Sequence, residues 1–307
     1  MAFKTALTEM LGIRHPVLLA PMGGIAGGRL AAAVTRAGGL GFLGPGYAGA
    51  DWIAREFDAA DHQRVGIGFI AWDLALDPAR LTAALARKPE AVMLSFGDAR
   101  PFTAEIRRAG ARLVVQVQTV AAAKEAVALG ADVIVAQGTE AGGHGAARAL
   151  FPLLPAVVDV AGPIPVVAAG GISDGRGMAA ALALGASGVL VGTAFYVASE
   201  SLGAAQAKAR IAAASGDDTV RTTVFDVVRG LSWPAEFNGR ALRNRFTDTW
   251  QGREPDRAGE LAADPAQRTL YAQAAAAGDF DTAVIWAGEG VDQVKAARPA
   301  ADILSDL

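Results

Sequence analysis

The run Asp132-Val133-Ile134-Val135-Ala136-Gln137 leads into the corner Gly138-Thr139-Glu140-Ala141-Gly142-Gly143-His144-Gly145 and then into the Ala/Leu-rich stretch 147–160. An apolar run without polar alternation reads as a strand buried on both faces, and such strands belong to parallel sheets covered by helices. Strand, glycine corner and helix make one βα unit. Outward from this unit the same pattern recurs. Eight apolar runs, at 17–20, 39–43, 65–70, 91–96, 112–118, 132–137, 165–169 and 188–191, alternate with helical stretches at 28–37, 51–59, 78–87, 101–109, 119–129, 147–160, 175–184 and 200–214. Eight repeats close a sheet on itself, so the expected fold is α/β, a (β/α)8 TIM barrel. Asp174 before Gly175 starts one helix, and Ala109-Gly110, Leu129-Gly130 and Leu184-Gly185 end others, in keeping with capping preferences.

The rhythm stops near Ser215. Residues 217–260 carry most of the late Arg, Trp and Phe in an irregular arrangement, and 265–307 reads as two helical pieces around Ala287-Gly288-Glu289-Gly290. The expected organisation is therefore a barrel over 1–215, a C-terminal lid or small subdomain over 216–264, and a helical segment over 265–307 that returns to the barrel.

Composition narrows the function. Hydrophobic residues make up 52% of the 307 and charged residues 19%, which suits a compact body with one large core. A net charge of −3 and the lack of a Lys/Arg cluster interleaved with aromatics argue against nucleic acid. Pro, Gly or charge interrupts every apolar stretch before the roughly 18 residues that cross a bilayer. The first residues lack a signal-peptide pattern, so a soluble cytoplasmic protein is expected. With no cysteine in the chain, disulfides, thiolate catalysis and cysteine-ligated metals are excluded, and redox chemistry would have to come from a bound cofactor.

In a TIM barrel the working residues lie at the C-terminal ends of the strands. The seventh run ends Ala169-Gly170-Gly171 and the eighth ends in Gly192-Thr193. Glycine corners in these two places are where barrels cradle a phosphate on backbone N–H groups. The first corner, Pro21-Met22-Gly23, reads equally as a tight turn or as a close backbone approach to a ligand. Gln116 and Gln137 stand near the ends of the fifth and sixth runs, where an uncharged donor–acceptor suits the edge of a heterocycle such as a flavin. Of three histidines, His15 and His62 fall away from strand C-termini and read as structural or solvated, whereas His144 is displayed at the catalytic face on a flexible, glycine-flanked loop. No metal site is expected, for there is no HExxH motif and one well-placed histidine is too few.

The pieces Ala20-Pro21-Met22-Gly23, Gly130-Ala131-Asp132 running into Gln137–His144, Ala169-Gly170-Gly171-Ile172, Asp174-Gly175-Arg176-Gly177 and Gly192-Thr193 together make the chain similar to the nitronate monooxygenase (2-nitropropane dioxygenase) family, related to FMN-dependent enoyl-ACP reductases and NADH:quinone reductases. The resemblance covers most of 10–200, with weaker matches at 239–244 and 286–290. It implies FMN as cofactor, touched by Pro21, Met22, Gly23, Gln116, Gln137, Ala141, Gly142, Gly143 and Ala169, with Gly170, Gly171, Gly192 and Thr193 at its phosphate. His144 would face the substrate. The implied reaction is oxidation of alkyl nitronates or nitroalkanes with O2. An alternative is NAD(P)H-dependent reduction of enoyl thioesters or quinones, and a second is a non-redox phosphate-binding barrel. Burial of an apolar lid against a second copy would make the protein a homodimer. Two departures stand out: Gly68 replaces the Asn of the family's third strand, and the motif continues His144-Gly145-Ala146 rather than His-x-Gly.

Overall fold

The computed structural model describes residues 4–252 and 254–307. Eight parallel strands form the barrel: β1 (Val17–Leu19), β2 (Gly41–Leu43), β3 (Val65–Ile70), β4 (Ala91–Ser95), β5 (Arg112–Val117), β6 (Val133–Gln137), and, after a short outlying strand β7 (Gly143–Gly145), β8 (Val166–Ala169) and β9 (Gly188–Val191). Their order is β1-β9-β8-β6-β5-β4-β3-β2. A parallel bridge between Leu18 and Leu40 closes the ring, with Leu19 N–H donating to the Leu40 carbonyl at 3.0 Å. All eight expected strands are present, and the protein is a (β/α)8 barrel.

Period-two alternation sorts the strand residues into two cores. Leu18, Phe42, Met93, Val114, Val133, Val135, Val167 and Leu190 pack together inside the barrel. Leu19, Ile67, Leu94, Val115, Ile134 and Val189 belong to the larger core that includes the surrounding helices. The interior is filled by complementary sizes: a Cβ on Gly66 would lie 2.5 Å from the Phe42 ring, so the aromatic ring occupies the space that glycine leaves.

The helices differ from expectation mainly at their starts. The sixth begins at Leu150 rather than at 147, because the Glu140 carboxylate accepts from Leu150 N–H at 2.9 Å and caps it there. The eighth begins at Ala205, and a short helix at Thr193–Tyr196 directly follows β9. Among the described residues no helix is long and apolar enough to cross a membrane.

Residues 217–260 are more regular than their sequence suggests. They hold β10 (Thr219–Thr222), a helix at Val224–Arg229, β11 (Asn238–Leu242) and helices at Arg245–Trp250 and Glu254–Ala263. β10 and β11 pair antiparallel, and β11 pairs in turn with β7, so this second sheet takes its third strand from the corner after β6. The expected flexible loop around His144 is thus a hydrogen-bonded strand, with His144 opposite Gly239. In the C-terminal stretch the Gly-rich run lies between two helices, as its sequence suggests, though it adjoins neither. Residues Pro265–Ala277 are helical, Glu289–Gln293 form a 3-10 turn, and a last helix, Ala300–Ser305, packs beside Gly28–Arg36.

Candidate active site

The C-terminal ends of the strands open on one cavity of about 450 Å³, and every site residue singled out from the sequence lines it. The strand phase explains how the amides reach it. Gln116 lies two residues beyond Val114 and Gln137 two beyond Val135, so both continue the inward-facing rows above the barrel core. Gln137 Oε1 accepts from Gln116 Nε2 at 3.1 Å and from Gln118 Nε2 at 2.8 Å, while its own Nε2 donates to the His144 carbonyl at 2.9 Å. These buried amides satisfy one another and fix the strand that carries His144.

The glycine corners have different jobs. Gly170 and Gly171 adopt φ of 110° and 70°, open to glycine at little cost. A Cβ on Gly170 would meet Ala141 N at 3.0 Å, whereas one on Gly192 would meet nothing nearer than Ala20 Cβ at 3.5 Å. Gly142 is glycine because the C-terminal segment crosses it, with Ala287 C and Gly288 N 2.6 Å from where its Cβ would stand. Gly288 N–H donates to Thr193 Oγ1 at 3.0 Å, so the run at 287–290 completes the wall on this side.

His144 is held from several directions. Its Nε2 lies 2.8 Å from Asp226 Oδ2, and the two side chains are 9% and 4% exposed. The Trp233 ring stacks on the imidazole, centroids 3.5 Å apart and planes 3° from parallel, and Trp286 lies at 5.0 Å. Trp233 Nε1 donates to Tyr47 Oη at 2.8 Å. Burial pushes the imidazole pKa below its ordinary value, the Asp226 hydrogen bond opposes this, and Arg229 and Arg221 add to the lowering. A neutral imidazole in such a place can accept a proton near neutral pH.

Sequence reading missed Asp226, Trp233 and Phe96, and gave Trp286 no role. Asp226 stands 82 residues from His144, so no local spacing links them. One signal was available: a lone carboxylate among Val224, Phe225 and Val228, since a buried acid needs a partner. Phe96, at the end of β4, lines the cavity with φ of 60°, a left-handed conformation that costs a non-glycine residue about 1 kcal/mol or more. No apolar pattern announces such a residue.

The two departures have local causes. A Cβ on Gly68 would lie 2.3 Å from Pro21 Cγ, so the first corner occupies the room an Asn side chain would need. At Gly145 a Cβ would come within 3.3 Å of Gln137 Oε1 and 3.5 Å of the Arg221 guanidinium. Glycine there lets amide and guanidinium pack against the strand.

The model of the nitronate monooxygenase family matches residues 4–65 and 62–307, nearly the whole chain. The chain belongs to the nitronate monooxygenase family. It is therefore an oxidoreductase. The nitronate monooxygenase of Paraburkholderia phytofirmans is 32% identical over an alignment spanning 99% of this chain and 94% of that one. A relative from Mycobacterium tuberculosis, (3aS,4S,5R,7aS)-5-hydroxy-7a-methyl-1-oxo-octahydro-1H-indene-4-carboxyl-CoA dehydrogenase, is 38% identical over 74% of this chain and 65% of its own length. The solved structure of nitroalkane oxidase from Streptomyces ansochromogenes superposes with a TM-score of 0.80 at 31% identity, covering 98% of this chain and 96% of that one.

Proposed function

We propose that the protein is an FMN-dependent nitronate monooxygenase in which His144 handles the substrate proton. The observation that carries this reading is the placement of a buried, neutral-leaning imidazole and a glycine cradle on one cavity. The residues present fit FMN. Gly170, Gly171 and Gly192 line the cavity, where backbone N–H groups would hold a phosphate, Thr193 begins the helix beside it, and Gln116 and Gln137 bring amides to the same cavity for the ring edge. Pro21, Met22 and Gly23 would support the other side. When bound, FMN supplies the electron transfer between substrate and O2.

The protein's own part is binding and proton movement. A carboxylate oxygen only accepts, so in the neutral imidazole Nε2 carries the hydrogen toward Asp226 and Nδ1 keeps the lone pair. With a neutral nitroalkane, Nδ1 takes the α-proton: the C–H bond breaks, the N–H bond forms, and the electron pair moves onto the nitro group to give the nitronate. With a preformed nitronate that step is unnecessary, and only a ring protonated on both nitrogens, with Nε2 still on Asp226, would donate from Nδ1 to the anion. Trp233 and Tyr47 narrow the mouth of the cavity and exclude water.

His144→Ala should keep FMN bound and lower kcat/KM on neutral nitroalkanes by about 10²-fold or more, the usual contribution of an acid–base group, with preformed nitronates affected less. Equal retention of both activities would reject the role. Gly170→Val, which puts a branched side chain against Ala141, should instead yield protein without flavin.

A second reading is NAD(P)H-linked chemistry on a larger acyl thioester. It is favoured by the aromatic mouth formed by Tyr47, Phe96, Trp233 and Trp286, together with the name of the 38%-identical CoA-ester dehydrogenase. Anaerobic stopped-flow separates the two. Rapid bleaching of the flavin by NADH or NADPH, with no turnover of nitroalkanes or nitronates, would select the second and reject the first.

A further inference from the structure

We propose that Asp226 is a positioning residue for His144: its carboxylate fixes the imidazole with hydrogen on Nε2 and the lone pair on Nδ1, directed at substrate. This rests on the proton-handling role given to His144 above. Two other carboxylates, Glu140 and Glu56, hold backbone. Glu140 caps Leu150, and Glu56 accepts from Gly28 N–H at 3.0 Å. Asp226 does neither. Its Oδ2 meets His144 at 2.8 Å and its Oδ1 is buried with no hydrogen-bond partner among the described residues. A carboxylate kept at 4% exposure for a single imidazole contact has no backbone to organise, so its work is on the imidazole.

The surroundings strengthen the pair. Asp226 sits on the helix Val224–Arg229, whose Val224, Phe225 and Val228 pack with Ala241, Phe246 and Tyr271 in a separate apolar cluster. Low local polarity makes a hydrogen bond stronger and its loss more costly. The charged groups around the imidazole are otherwise cationic: Arg221 on β10 and Arg229 on the Asp226 helix both disfavour a protonated ring. Tyr47 and Tyr271 also face this region, and burial pushes the Tyr47 hydroxyl up to about 12 and raises Tyr271, so both stay neutral at working pH. Asp226 is thus the carboxylate that offsets burial and two guanidinium groups.

Exchanging this carboxylate for an amide changes the pair in a defined way. In Asp226→Asn the new side chain can present its NH2 group to Nε2, which draws the ring hydrogen to Nδ1 and removes the lone pair from the substrate side. The exchange also removes the negative charge that favours the imidazolium, so the His144 pKa falls further and the acid limb of any His144-dependent rate moves to lower pH.

The test compares flavin-loaded wild type, Asp226→Asn and Asp226→Glu. Two readouts are taken: kcat/KM against pH on nitroethane and on preformed ethylnitronate, and 15N NMR of the histidine side chains, with His144→Ala assigning the resonance. Asp226→Asn should retain FMN, lose about 10²-fold on nitroethane, stay within about threefold on ethylnitronate, and show an acid limb shifted downward. Its NMR signal should lose the pure Nε2–H tautomer of wild type. Asp226→Glu should recover part of the nitroethane rate. An unchanged tautomer and titration in Asp226→Asn would overturn the proposal whatever the substrate. If wild type turns over neither nitro compound, the functional reading fails, and the NMR comparison still decides the role of Asp226.

Discussion

At the level of single residues, the motif corner shows how little of a catalytic signature is catalytic. Glu140 caps a helix, Gly138 makes room for that carboxylate at 2.2 Å from its missing Cβ, and Gly142 admits the backbone of 287–288. Only His144 is left to act on a substrate. The same economy governs Gly68, whose missing side chain is filled by the Pro21 ring. Because Pro21 is tied to the backbone by its own ring, it has little freedom to move aside. Gly68→Ala should therefore overpack the first corner and cost about 1–3 kcal/mol, read as a lower urea midpoint. Flavin affinity should fall with it, since Pro21 and Gly68 line the same cavity. An alanine variant with the wild-type midpoint would show that the corner yields easily, and the family's Asn could then be restored at this position.

Between elements, the decisive joint is the one between β7 and the sheet of β10 and β11. Arg221 on β10 donates from Nη1 to the Thr139 carbonyl at 3.0 Å and from Nε to Asn238 Oδ1 at 2.6 Å, and it also reaches the carbonyls of Gly145 and Asn238. Arg240 donates to the same Thr139 carbonyl. Burial, with Arg240 nearby, lowers the Arg221 pKa to about 10, which leaves it charged at neutral pH. Arg221→Ala would strip several carbonyls of their donor, and about 2 kcal/mol of local stability corresponds to roughly 30-fold faster amide exchange over 143–145. Exchange unchanged there would mean that β-pairing alone holds the strand. This joint also marks the limit of what sequence conveys. The eight barrel strands are legible because each is buried on both faces and reads as an unbroken apolar run. β7 is Gly-His-Gly, and β10 reads Thr-Val-Arg-Thr; neither is an unbroken apolar run, each pairs with β11, and the Arg221 guanidinium that ties the corner to β10 comes from about eighty residues away. The phosphate-type corners and His144 were readable from their place after particular strands. Asp226 and Trp233 were not, because only tertiary folding brings them to the imidazole.

For the molecule as a whole, the barrel closes at its thinnest join, the single Leu18–Leu40 bridge between β1 and β2, and the C-terminal helix Ala300–Ser305 lies against that seam. Ile303 and Leu304 are each 3% exposed, and Leu304 Cδ1 stands 3.1 Å from where a Cβ on Gly39, two residues before β2, would be. The tail is tied further by Gly175 N–H donating to the Asp306 carbonyl at 2.9 Å and Ser199 N–H to the Arg298 carbonyl at 3.0 Å. Burying one Ile and one Leu contributes about 1.5–3 kcal/mol each, so the two supply roughly 3–6 kcal/mol, a large part of the 5–15 kcal/mol by which a domain is ordinarily stable. The run at 287–290 that walls the cavity precedes this helix, so the seam and the cavity wall can be separated by truncation. A chain ending at Lys295 keeps Gly288 and Gly290 but loses the seam cover. It should unfold at a clearly lower urea concentration than the full chain, and flavin retained below that midpoint would show the cavity wall intact. Leu304→Ala alone should cost about 2–5 kcal/mol, as other buried Leu-to-Ala changes do. If the truncated chain and Leu304→Ala both unfold at the full-length midpoint, the β1–β2 bridge carries the closure unaided and the last helix is an ornament on a barrel already sealed.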